Sequence, residues 1–323
     1  MHPDYIEILT KDYIENVLIH IFPDAITNKA WSSGMSISGK TFSIEISNDS
    51  IIRCAQHYKP TSQSFVHFTS LQGMDSILRE QSLRMYNLNN VNDPNEISFT
   101  LIDLGSTPSE IKKIKDGIYV LSMVDSVELN KENILNLWRL YGRGGEGVAI
   151  ELEIIDEGFE NNFVLANIIY DKLNLELFLE SNNQFETRNN LIVNKNDVLA
   201  VIACLHKNTY YKIENEIRLI HNSEDGYSAT QTFNPNSHFG RDFNHRNEIG
   251  SYYKLKIHKN EKEIRDMFKP NVVIKKIQIG FKHKQRFQEI KEYFEELKLA
   301  FWVAKNRPVE FDIELSPLGD SYR

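Results

Sequence analysis

Apolar and polar positions along this chain follow two periods, one near 3.6 residues and one of 2, and the switches between them mark its elements. Tyr5, Ile8, Tyr13, Val17, Leu18 and Ile21 predict a helix over 4–21, which Pro23 ends. Alternation resumes on both sides of Gly39-Lys40 and predicts a hairpin over 35–46 with a glycine-first two-residue turn. Residues 1–58 thus form an N-terminal extension too small to be a domain by itself. The polar, Pro-containing stretch 59–64 joins it to a domain over 59–323.

The domain opens with a strand over 64–70, a short helix over 74–81 with Ile77 and Leu78 inward, and a strand over 82–86. The Asn-, Asp- and Pro-rich residues 87–96 form a loop. A strand over 118–123 precedes a helix over 133–141, whose stripe is Ile134, Leu137, Trp138 and Tyr141. Glycines between 142 and 147 break that helix. Strands follow over 148–152 and 164–170, helices over 175–179 and 195–207, and strands over 211–221 and 252–257. A short helix over 262–267, a strand over 272–280, an amphipathic helix over 284–297 and a strand over 301–303 complete the pattern. Short strands dominate with no regular βαβ repeat, which predicts an α+β fold.

The bulk composition narrows the classes. With 323 residues, 41% apolar and 25% charged, the chain is an ordinary folded protein. No apolar run approaches the roughly 20 residues that span a bilayer, so no membrane partner is expected. The opening Met-His-Pro-Asp-Tyr lacks a basic region followed by an apolar stretch, so the expected location is cytoplasmic. Cys54 and Cys204 form no C-x-x-C pair, which predicts two reduced thiols and no structural zinc site. A net charge of -8 argues against a surface that coats nucleic acid. Residues 241–291 nevertheless carry fourteen Lys/Arg against six Asp/Glu, leaving -16 for the rest. That stretch is either a basic face for phosphates or a solvated lysine-rich surface.

Four features carry candidate chemistry. In Val66-His67-Phe68-Thr69-Ser70, strand alternation puts His67 and Thr69 on one face, two hydrogen-bonding groups suited to a ribose or phosphate. The loop Asn90 to Glu96 places Asn92, Asp93 and Glu96 around Pro94, either as a turn or as ligands. The helix carrying Trp138 and Tyr141 runs into Gly142-Arg143-Gly144-Gly145-Glu146-Gly147, where glycines allow close backbone approach and Arg139 or Arg143 can hold a phosphate. The spacing is neither a Walker loop nor a dinucleotide fingerprint, and a plain helix cap with a turn explains it equally. In the predicted strand over 211–221, Lys212, Glu214, Glu216 and Arg218 share a face. Arg218 would keep a neighbouring glutamate ionised, and an ionised carboxylate stabilises an oxocarbenium-like centre. The alternative is an exposed salt-bridged strand.

In their order and spacing these features resemble the bacterial family catalogued as domain of unknown function 2971. The matching segments are His67-Phe68-Thr69, Asn92-Asp93-Pro94-Asn95-Glu96, Trp138 to Gly147 with Val148-Ala149-Ile150, and Glu214-Asn215-Glu216-Ile217-Arg218. The segment Val273 to Gly280 fits the family's closing strand, so the likeness covers about residues 64–303. The opening strand and helix also resemble DNA-modifying ADP-ribosyltransferase toxins. That resemblance implies an ADP-ribosyltransferase-like fold, a short-stranded split sheet with peripheral helices, and NAD as the bound substrate. It implies that His67 binds NAD with Thr69, Arg143 and Arg218 beside it, and that Tyr141 or Trp138 stacks on nicotinamide. Glu216 would be catalytic and Glu214 would contact the acceptor, a nucleic acid or a protein. Asn92, Asp93 and Glu96 have no role in that scheme.

Three functions follow as expectations. The first is an NAD-dependent ADP-ribosyltransferase acting as a toxin or anti-phage effector. The second is a catalytically inactive nucleotide-binding sensor or interaction module in a defence system. The third is a metal-dependent nucleic-acid enzyme using Asp93, Glu96 and Glu214.

Overall fold

The computed structural model describes residues 3–21, 35–44, 60, 62–90, 101–102, 107–130, 134–156, 163–170, 174–194, 204–223, 238–243, 249–258, 270–302 and 311–318. The chain runs α1 (Pro3–Asn16), β1 (Met35–Ser38), β2 (Thr41–Ile44), β3 (Ser64–Thr69), α2 (Leu71–Glu80), β4 (Ser82–Asn87), α3 (Pro108–Asp116), β5 (Ile118–Asp125), α4 (Ile134–Leu140). It continues β6 (Val148–Asp156), β7 (Phe163–Asn167), α5 (Leu175–Asn189), β8 (Ile192–Asn194), β9 (Glu216–Asn222), β10 (Phe239–Phe243), β11 (Ile249–His258), β12 (Asn271–Ile279), α6 (Phe287–Trp302), β13 (Asp312–Leu315). The mixture is α+β.

Six strands close into a barrel-like ring. β4 pairs antiparallel with β11 and with β5. From β11 the circuit passes through β12, β6 and β3 back to β5. β9 and β7 extend the sheet beyond β5, β10 flanks β11, and β13 flanks β12.

β5 is where this sheet splits. One of its edges is paired with β9 from Ile118 to Val124. Its other edge meets β3 only at Phe65↔Asp125 and Val66↔Val124, and β4 only at Tyr86↔Val120 and Asn87↔Tyr119. Between these stretches β3 and β4 part, and residues 121–123 face the gap.

Alternation along the strands separates two cores. β3 sends Phe65 into the larger one, where strands of the ring meet Met74, Ile77 and Leu78 of α2 and Ile290, Phe294 and Leu297 of α6. Val66 joins the opposite face, over which α4 lays Ile134, Leu137 and Trp138. A third core joins the N-terminal extension to the sheet. Leu9 and Tyr13 of α1, Val17 just beyond it and Phe42 of β2 pack with Phe178 and Phe185 of α5 and with Val120, Val164 and Ile220. Tyr13 meets Phe185 edge-on at 4.9 Å and donates to Asn182 Oδ1 at 2.9 Å. Burying each such aromatic side chain contributes about 1.5–3 kcal/mol.

Several boundaries differ from the sequence pattern. The first helix ends at Asn16, and Leu18–His20 form a 3-10 turn. The helix expected over 175–179 runs on to Asn189, because its buried positions Phe178, Asn182 and Phe185 keep a helical spacing with a polar residue in the stripe. The final strand is Asp312–Leu315, while Phe301 and Trp302 end α6. Residues 195–203 and 262–267, expected as helix, lie outside the described residues, as do Asn92, Asp93, Glu96 and Cys54. Among the described residues no helix is long and apolar enough to cross a membrane.

Candidate functional site

The gap in the sheet opens into a cavity of about 500 Å³, within the roughly 300–1,000 Å³ of small-molecule sites. His67, Thr69, Tyr141, Glu214, Glu216 and Arg218 all line it. The histidine near the start of the domain and the acids near residue 215 thus meet in one cleft.

Glu216 and Arg218 alternate on β9 toward the cavity, while Ile217 and Leu219 between them enter the larger core. Arg218 donates through Nε to Glu216 Oε1 at 2.8 Å and through Nη2 to Oε2 at 3.2 Å. Its Nη1 donates to the Cys204 carbonyl at 2.9 Å, which fixes the guanidinium plane. The Lys207 ammonium lies 2.7 Å from Glu216 Oε2 and 2.8 Å from Glu214 Oε2. Burial pushes the Glu216 carboxyl up, but Arg218 and Lys207 outweigh burial and hold it at about 2. Glu216 is therefore an ionised carboxylate at neutral pH. The same burial pushes the Cys204 thiol up to about 12, so Cys204 is a packed thiol rather than a nucleophile.

Glu214 reaches this place by a route unlike the expected strand. Thr209–Glu214 form a 3-10 turn, and Asn215 sits at φ 44°, in the left-handed region that asparagine tolerates. The Asn215 amide donates to Glu128 Oε1 at 2.9 Å and holds the kink. Strand alternation begins only at Glu216, so the two glutamates converge through this kink and through their shared lysine. Tyr141, just beyond α4, hydrogen-bonds Glu214, and burial with that bond raises its hydroxyl well above the usual tyrosine range. The Tyr170 hydroxyl accepts the Glu216 backbone N–H at 2.9 Å. Lys207 itself is anchored where its N–H donates to the Ile169 carbonyl at 3.0 Å and Leu205 accepts from Ile169 at 2.8 Å.

Across the cavity, His67 Nδ1 lies 3.0 Å from the Ser122 carbonyl oxygen. A carbonyl only accepts, so Nδ1 carries the proton, and in the neutral ring Nε2 is left as an acceptor. Burial lowers the His67 pKa, partly opposed by the Ser122 bond, so the ring is neutral at pH 7. This bond stitches β3 to β5 where their ladder has ended. At the far end Arg84 is held by Glu80 and Asp242 and stacks 4.6 Å over the Tyr252 ring.

Two expected ligand-binding residues lie elsewhere. Trp138 is fully buried, edge-on to Phe68 at 5.2 Å and to Phe281 at 6.2 Å, and does not line the cavity. Its large apolar ring is worth more in the core than on a wall. Arg143 is an exposed residue at φ 49° in the 3-10 turn Arg143–Gly145 and also lies off the cavity wall. The glycines around it serve chain packing rather than ligand approach. A Cβ on Gly145, at φ 92°, would meet the Phe281 ring at 2.4 Å, and one on Gly147 would meet the Thr69 carbonyl at 2.4 Å. Sequence reasoning missed Lys207, Tyr211, Ser122 and Arg84. Only Arg84 left a signal, since alternation in Leu83-Arg84-Met85-Tyr86 sets it opposite two core residues. No group of three or more His, Cys, Asp or Glu among the described residues is placed to hold a metal ion.

A family profile described as "Protein of unknown function (DUF2971)" matches residues 137–219. The matched stretch contains Tyr141, Lys207, Glu214, Glu216 and Arg218, and leaves His67 and Thr69 outside. No curated protein and no solved structure matches the chain.

Proposed function

We propose, starting from that family match and the cavity, that the chain has an ADP-ribosyltransferase-like fold and transfers ADP-ribose from NAD. The observation that carries this reading is the convergence of His67, Thr69, Tyr141, Glu214 and Glu216 on one cavity from three separate stretches of chain. A split sheet with the histidine on one lip, β3, and the acids at the start of β9 on the other side of β5 supports the fold.

In this reading Nε2 of His67 accepts a hydrogen bond from a ribose hydroxyl, and Tyr141 offers its ring to nicotinamide. The C1′–N bond breaks with its electron pair going to the nicotinamide nitrogen. The ionised Glu216 stabilises the positive charge that develops at C1′. A lone pair of the acceptor, nucleic acid or protein, then bonds C1′, and its proton passes to Glu214 or water. Such an activity suits a toxin or anti-phage effector.

Incubation with NAD labelled in the ADP-ribose part, with and without cell lysate, tests the reading. Label on protein or nucleic acid is expected, and Glu216→Gln should keep NAD binding while transfer falls about a hundredfold or more. Unchanged transfer by that variant would remove Glu216 from the mechanism.

One observation favours a second reading, a nucleotide-binding sensor without chemistry. Both Glu216 oxygens are already bound, by Arg218 and Lys207, as in a structural ion-pair cluster. NAD affinity without any nicotinamide release would select that reading.

A further inference from the structure

Lys207 lies outside the motifs that the sequence offers, yet it touches both acids of the cavity. Its side chain is 7% exposed, its ammonium is within 2.8 Å of Glu214 and of Glu216, and it lies 5.4 Å over the Tyr211 ring. We propose that Lys207 is the positioning residue of this site, the bridge that lets two like-charged carboxylates stand side by side on one cavity wall.

The argument is charge balance in a buried place. Glu214 and Glu216 carry two negative charges, and Arg218 and Lys207 carry two positive ones. Arg218 is committed to Glu216 and to the Cys204 carbonyl. Among the described residues the other groups facing the pair are Tyr141 beyond α4, Tyr170 beyond β7, Tyr211 in the 3-10 turn, and the Cys204 thiol, and none of these is cationic at neutral pH. His67 across the cavity is neutral, and Arg84 at the far end is paired with Glu80 and Asp242. Without Lys207, two buried anions share one cation. A like charge nearby and the loss of a hydrogen-bond donor both favour the protonated form, so the pair takes up a proton. The kink at Asn215 and the anchoring of residues 205–207 to Ile169 make the bridge rigid. Lys207 thereby keeps Glu216 ionised and holds both carboxylates in place on the wall.

This charge argument is independent of the transferase reading; only its consequence for catalysis rests on it. Carbon-13 carboxyl NMR of glutamate-labelled protein is followed from pH 2 to 8 in the wild type, K207M, K207R and the double variant E214Q/K207M, with a thermal melt of each. In K207M the pair should titrate in the neutral range, a rise in proton affinity of a hundredfold or more. K207R should stay near the wild type. The double variant is charge-balanced, so Glu216 should titrate in acid again and the melting temperature should exceed that of K207M. If K207M is too unstable to titrate, a double variant that folds with an acidic Glu216 upholds the proposal, and one that also fails to fold overturns it. A K207M titration identical to the wild type, or a double variant melting no higher than K207M, also overturns it. Titrations as expected with no nicotinamide release from NAD by any variant would sink the transferase reading and leave Lys207 in its place.

Discussion

Acid should weaken this fold in a window that Glu216 sets. The carboxyl moves from its ordinary 4.5 to about 2 in the folded protein, because Arg218 and Lys207 outweigh the opposing effect of burial. At about 1.4 kcal/mol per pH unit, that gap is worth roughly 3 kcal/mol of stability. The sign follows from the direction: a depressed carboxyl stabilises fully above 4.5, and the contribution is lost as pH falls toward 2. Glu216→Gln removes the titration. It also leaves Arg218 and Lys207 short of a partner, which costs about 3–5 kcal/mol at pH 7. The assay is urea denaturation of both proteins at pH 7, 5, 4, 3 and 2. The gap between wild type and variant should be widest at pH 7 and 5 and narrow by roughly 3 kcal/mol by pH 2. Curves that run parallel over the whole range would refute the electrostatic account of this cluster.

Two other perturbations separate packing from site chemistry. Trp138→Ala should cost about 3–5 kcal/mol in denaturation, because the ring fills a core between Phe68 and Phe281. Lost ligand binding at unchanged stability would instead put Trp138 in contact with the ligand. Asn215→Ala should cost about 1–2 kcal/mol by straining the left-handed kink at φ 44°, while Asn215→Gly should cost less. Equal losses in the two variants would mean that the bond to Glu128, not backbone conformation, holds the turn.

Elements with a clean period were legible. The hairpin of β1 and β2, the strand–helix–strand unit from β3 to β4, and the alternation in β9 all follow from spacing alone. Alternation put His67 and Thr69 on one face, and both line the cavity, but Val66 and Phe68 of the other face line it too. Trp138 and Tyr141 share a helical stripe, and period cannot tell which of them is buried. Tertiary packing decided it: Gly142 has no Cβ, and one there would stand 2.4 Å from the Trp138 ring, so the indole packs against the turn. Lys207 left no trace, because its partners Glu214 and Glu216 belong to a segment whose kink depends on a bond to distant Glu128. The ring of strands was equally hidden, since β4 and β11 pair across more than half of the chain.

That last pairing bears on how the protein is made. β4 emerges from the ribosome well before its partner Ile249–His258, and Tyr86 waits for Tyr252. At about 5–20 residues per second, the wait is on the order of ten seconds. During it Leu83 and Met85 lack part of their cover, and one side of β4 offers unsatisfied amides to any passing strand. Until then the sheet is an open half-shell, closed into a ring only once β11 and β12 are in place.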